Sequence, residues 1–112
     1  MTIEYIDSSH ALYQAVKKLG RKYATTLGFM PDGGFDDYAA RRNIITASEN
    51  GQLQGYLMYR EVNRFSRVTI VHLAVDETFR GKGISTELIN ALKIKFKNTD
   101  IAGISLSCRR DF

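Results

Sequence analysis

A mixed α/β sheet with helices packed against it is the architecture this sequence predicts, and three observations carry it. Asn50-Gly51 sits between two β-patterned segments. Residues 68–108 read as strand, glycine-rich loop, helix and strand. Leu12, Val16, Leu19 and Tyr23 recur at the three- and four-residue spacing of an apolar helix face. The chain has 112 residues, one domain's worth, and residues 1–112 are read as a single domain.

The elements follow in order. Residues 2–6 alternate Ile3 and Tyr5 with Thr2 and Glu4, a short first strand. Asp7, Ser8 and Ser9 offer N-cap oxygens for a helix that ends near Gly28. Residues 30–34 (Met-Pro-Asp-Gly-Gly) read as a loop. Residues 35–42 read as a second helix with Phe35, Tyr38 and Ala39 inward. Residues 43–48 are apolar and β-rich, and Asn50-Gly51 supplies the two positive-φ positions of a tight hairpin. The returning strand, residues 53–60, puts Leu53, Gly55, Leu57 and Tyr59 on one face and Gln54, Tyr56, Met58 and Arg60 on the other. After a turn over residues 61–67, residues 68–75 are apolar on both sides, as a central strand requires. Ile84, Leu88, Ala91, Leu92 and Phe96 form the buried stripe of a last helix, and Ile104, Leu106 and Cys108 alternate in a last strand. The two strands flanking that helix are expected to be parallel and the earlier ones antiparallel.

Composition narrows the function. The chain is 44% hydrophobic and 25% charged, as a soluble domain is. No apolar run approaches the roughly 18 residues of a membrane helix, and residues 1–7 lack the pattern of a signal peptide. A cytoplasmic protein without a membrane partner is expected. One cysteine and two distant histidines give neither a disulfide framework nor a zinc signature, so no metal site is expected. The net charge of +4 favours anionic partners. No basic stripe or stacking motif accompanies it, which argues against nucleic acid.

The informative segment is residues 75–86. A buried strand ends and the basic, glycine-bearing run Arg80-Gly81-Lys82-Gly83-Ile84-Ser85 opens a helix. A helix start offers free backbone N–H groups and the positive end of the dipole, and glycine lets an anion approach them. This is a phosphate cradle. It is no Walker A loop, because Gly83 follows Gly81-Lys82 and Asp76 stands where the first glycine belongs. A dinucleotide fingerprint finds Thr86 in place of its third glycine.

What fits is [Arg/Gln]-x-x-Gly-x-[Gly/Ala], read here over Arg80 to Ser85. With His72-Leu73-Ala74-Val75-Asp76 upstream, the chain resembles the GNAT superfamily of N-acetyltransferases over nearly its whole length. Ser85 departs from the family's Gly or Ala; it is small, and its hydroxyl is placed to cap the helix or meet a phosphate. The resemblance implies the GNAT-like acyl-CoA N-acyltransferase fold, a mixed, mostly antiparallel sheet flanked by helices. It implies acetyl-CoA as co-substrate and a primary amine, unidentified, as acceptor. Cofactor contacts would come from Leu73, Ala74 and Val75, with the backbone of Leu73 and Val75 pairing with the pantetheine arm. Arg80, Gly81, Lys82, Gly83, Ile84 and Ser85 would hold the pyrophosphate, with Thr86 beside it. The Leu73 N–H would polarise the thioester carbonyl.

Catalysis by direct amine attack needs a base and a proton for the departing thiolate. Many family members use a carboxylate on the central strand. Here residues 68–75 carry none, and His72 is the titratable group available as candidate base. Family members also place a Tyr after the last strand seen here. This chain ends first, so the implied fold is C-terminally shortened, with a strand edge that a second copy or a partner would cover. These two gaps leave an alternative, a non-catalytic CoA-binding or regulatory module on the same fold.

Overall fold

The computed structural model of the chain describes residues 1–62, 67–97 and 103–106. Five strands form one sheet in the order β1 (Thr2–Ile6), β2 (Ile44–Glu49), β3 (Gln52–Val62), β4 (Arg67–Val75) and β5 (Gly103–Leu106). β1 to β4 pair antiparallel, and β5 runs parallel to β4. The helices are α1 (Tyr13–Lys22), α2 (Ala24–Leu27), α3 (Asp32–Ala40) and α4 (Ile84–Lys95). Cys108, the expected end of the last strand, lies outside the described residues, as does most of the turn before β4.

The sheet is a partition between two cores. On one side Val16 and Leu19 of α1, Leu27 of α2 and Phe35 and Ala39 of α3 pack on Ile6, Ile44, Tyr56, Met58 and Ala74. On the other, Ile84, Leu88 and Leu92 of α4 pack on Ile45, Leu57, Val68, Ile70, Leu73 and Val75. Each fully buried Leu or Ile contributes about 1.5–3 kcal/mol relative to exposure, so these stripes anchor the helices. The β2–β3 hairpin turns on Asn50 (φ 52°) and Gly51 (φ 77°), the pair of positive values that matches strand twist.

Several boundaries differ from expectation, each for a local reason. Asp7 does not cap α1; its carboxylate accepts from Ser9 N–H and closes a turn first, and α1 begins at Tyr13. The first helical stretch does not run unbroken to Gly28, because Tyr23 leaves helical geometry (φ −110°, ψ 25°) and separates α1 from α2. The expected loop at residues 30–34 is half helix: Pro31 sits at the N-cap and Asp32, Gly33 and Gly34 form the first turn of α3. Leu53 changes face. The β2–β3 register slips between Ala47 and Ser48, which puts Leu53 in the core with Tyr56 and Met58 rather than with Leu57 and Tyr59. A second slip, between Met58 and Tyr59, leaves Val71 unpaired in β4 immediately before His72.

Candidate active site

The site forms where β4 ends. Asp76 accepts from Thr78 N–H through Oδ1 (3.1 Å) and starts a short 3-10 turn, Glu77–Phe79. Burial alone would raise the Asp76 pKa, but the Thr78 bonds and the neighbouring Lys22 ammonium outweigh it and hold the carboxyl below its usual range. The chain then reverses through Gly81 (φ 81°) and Gly83 (φ 77°), conformations that a side chain would strain. Gly83 is the N-cap of α4, and its carbonyl takes the first intrahelical bond, from Glu87 N–H (3.1 Å). Ser85 is therefore not the cap; it lies inside the first turn, and the cap makes no side-chain bond. Helix geometry leaves the N–H groups of Ile84, Ser85 and Thr86 without an intrahelical carbonyl.

A pocket of about 270 Å³ opens there, lined by Val75, Phe79, Arg80, Gly81, Gly83, Ile84 and Ser85. Six of these were expected from the sequence, and Phe79 was missed because an aromatic before the loop has no motif of its own. Lys82 is exposed and does not line the pocket; its ammonium lies 5.7 Å over the Phe79 ring. Thr86 is exposed one residue beyond the lining. Arg80 donates through Nε to the Val75 carbonyl (3.0 Å), and its guanidinium lies 4.8 Å from the Tyr23 ring centroid.

The pocket reaches the end of β4 at Val75. Among the described residues, β4 pairs with β5 from Arg67↔Gly103 to Ile70↔Leu106. Asp76 N–H donates across to the Gln54 carbonyl (2.9 Å). Antiparallel alternation therefore turns Ala74 and His72 toward β3 and turns the backbone of Leu73 and Val75 to the opposite side. The Ala74 backbone faces β3 and its side chain lies in the α1–α3 core. Gly55 faces Val75 in the register, and a Cβ there would come within 2.7 Å of the Ala74 carbonyl oxygen, so this close strand approach needs glycine.

His72 sits apart from the pocket. It is 4% exposed, faces the α1–α3 core, and holds the Tyr56 hydroxyl at Nδ1 (3.1 Å) with the Phe35 ring edge-on at 6.0 Å. Burial pushes its pKa down to about 4. Such a ring is neutral at pH 7 and a weak proton acceptor. The acids of α3 are also engaged: Asp36 accepts from the Tyr13 hydroxyl, Asp32 pairs with Arg21, and Asp37 pairs with Arg41 (3.1 Å). Among the described residues no group of three or more His, Cys, Asp or Glu is placed to hold a metal, and no helix is long and apolar enough to cross a membrane.

Similar architecture recurs in solved structures. A ribosomal-protein-alanine N-acetyltransferase of Brucella melitensis biovar Abortus 2308 superposes with a TM-score of 0.76 at 20% identity, over 96% of this chain and 79% of that one. Ard1 of Thermoplasma volcanium gives 0.79 at 18% identity, over 94% and 69%. The diaminobutyrate acetyltransferase EctA of Paenibacillus lautus, solved with its substrate and coenzyme A, gives 0.72 at 15% identity, over 82% and 55%. At these identities the likeness concerns the fold. No curated protein matches the chain. The model of the acetyltransferase (GNAT) family matches residues 9–111, nearly the whole chain, and the chain belongs to that family.

Proposed function

We propose that this protein is an acyl-CoA-dependent N-acyltransferase that moves an acetyl group from acetyl-CoA to a primary amine by direct attack. The observation that carries the reading is the pocket at the start of α4, which Val75 lines at the end of β4. The N–H groups at the α4 N-terminus and the Arg80 charge suit a pyrophosphate. The backbone of Leu73 and Val75, turned away from β3, suits an extended pantetheine arm added in the manner of a strand. EctA, with the same fold, was solved holding coenzyme A.

In this reaction the neutral amine nitrogen bonds to the thioester carbonyl carbon. Leu73 N–H stabilises the oxygen that becomes negative. The C–S bond then breaks, the thiolate leaves with the electron pair, and the amine gives up its proton. Water at the open pocket takes that proton in this reading. His72, the candidate base on β4, supplies instead a neutral hydrogen-bond partner for Tyr56, because an imidazole with a pKa near 4 takes a proton from an ammonium only far uphill.

The test is transfer itself: thiol release from acetyl-CoA with a panel of small amines and peptide N-termini, for the native chain and for Arg80→Ala combined with Gly83→Asp. Turnover lost in the double variant supports the reading; turnover unchanged refutes the site. A second reading, a non-catalytic CoA-binding or regulatory module, is favoured by one observation, the lack of a carboxylate on β4 beside a His72 that is neutral and buried. CoA binding without acetylation of any amine in the panel would select it.

A further inference from the structure

Tyr23 belongs to none of the expected cofactor residues, yet it touches the phosphate loop at two points. Its hydroxyl oxygen accepts the Glu77 N–H (2.9 Å), and its ring lies under the Arg80 guanidinium at 4.8 Å. Its neighbour Lys22 stands 3.6 Å from carboxylate oxygens of both Asp76 and Glu77. The break between α1 and α2 makes this reach possible. Tyr23 N–H still bonds the Leu19 carbonyl (3.3 Å), but its non-helical backbone separates the two helices at the residue that meets the loop.

We propose that Tyr23 is a positioning residue for acyl-CoA binding, acting through Arg80 and the Glu77 backbone rather than by touching the cofactor. The proposal rests on the assignment of the α4 loop to the pyrophosphate. Arg80 is fixed from two directions: Val75 carbonyl takes Nε, and the Tyr23 ring takes one face of the guanidinium plane. A stacked guanidinium loses less freedom when it meets an anion, because its plane is already oriented. The Glu77 bond ties the 3-10 turn, whose Phe79 packs against the α4 core, to the residue that follows α1 on the other face of the sheet.

A double-variant cycle on CoA affinity separates positioning from mere folding. Calorimetric dissociation constants for CoA would be measured for the native chain, Tyr23→Phe, Tyr23→Leu, Arg80→Ala and the Tyr23→Leu/Arg80→Ala pair. Tyr23→Phe keeps the ring and loses the Glu77 acceptor, and should weaken CoA about threefold. Tyr23→Leu should weaken it roughly tenfold in the native background and by less than about threefold when Arg80 is already alanine. Equal losses in both backgrounds, or native affinity in Tyr23→Leu, would overturn the proposal. If Tyr23→Leu fails to fold, Tyr23→Met runs the same cycle, since it fills the site and lacks the cation–π face, and Tyr23→Phe reports the loss of the Glu77 acceptor alone. A native chain that does not bind CoA at all refutes the pyrophosphate assignment itself and is thereby distinguished from failure of Tyr23.

Discussion

Tyr56 and Tyr59 stand three residues apart on β3, both fully buried, on opposite sides of the sheet. Tyr56 faces α1 and α3 and finds His72. Tyr59 faces α4, packs edge-on against Phe96 at 5.8 Å, and among the described residues its hydroxyl finds no hydrogen-bond partner. Burial, and then the Glu61 charge, push the Tyr59 hydroxyl up to about 12. The pair shows that the two cores are built differently. The α1–α3 core contains partnered polar groups and carries a cost when either partner is lost. The α4 core is held by aliphatic and aromatic contact, and that seat aims the first turn of α4 at the pocket.

The contrast breaks most directly at Leu88, 0% exposed under α4. Leu88→Ala should cost about 2–5 kcal/mol in denaturant unfolding, the range for a cavity in a close-packed core. The loss should be the same at pH 5 and pH 7, since no titrating group is involved. The other core should respond to acid instead. The His72 pKa falls from 6.5 to about 4 on folding, so the unfolded chain takes up a proton that the folded ring refuses. The stability this leaves is complete above pH 6.5 and is lost as pH falls toward 4, by about 3 kcal/mol at most. His72→Gln should flatten that part of the pH profile; an unaltered profile would mean the acid sensitivity lies elsewhere.

The tyrosines sharpen the comparison. Tyr56→Phe leaves the buried His72 Nδ1 unpaired and should cost about 1–3 kcal/mol. Tyr59→Phe removes a hydroxyl that has no hydrogen-bond partner among the described residues, and should be neutral to within about 0.5 kcal/mol, or stabilising. Equal costs for the two would erase the distinction between the cores. Away from both cores, Gly51→Ala should cost about 1 kcal/mol, because a side chain strains the positive φ of the hairpin turn without meeting any atom.

Much of this was legible in the sequence where the signal is local. Asn50-Gly51 dictates its turn, residues 68–75 read as central because they are apolar on both sides, and the spaced glycines mark the start of α4. Features that depend on a partner were not legible. An extra residue such as Val71 becomes a bulge only against a particular register, and the face of Leu53 depends on the slip beside it. Asp7 and Ser9 read as cap chemistry but close a turn before the helix. A histidine on a strand reads as a candidate base or as a hydrogen-bonded core residue; the burial of His72 beside the Phe35 and Tyr56 rings was not legible in the sequence. Tyr23 looked like the end of an apolar stripe, and its contacts with Glu77 and Arg80 lie more than fifty residues away.

The central claim is that the loop opening α4 holds the phosphates of an acyl-CoA. Thermal unfolding of the full chain with acetyl-CoA, CoA, NAD or ATP at matched concentrations tests it directly. At about 100 times its dissociation constant a ligand adds roughly 2.7 kcal/mol, a rise of about 10 °C for a chain of this size. Acetyl-CoA and CoA should produce that rise and NAD and ATP should not. No shift with either CoA species, or equal shifts with all four ligands, would contradict the assignment.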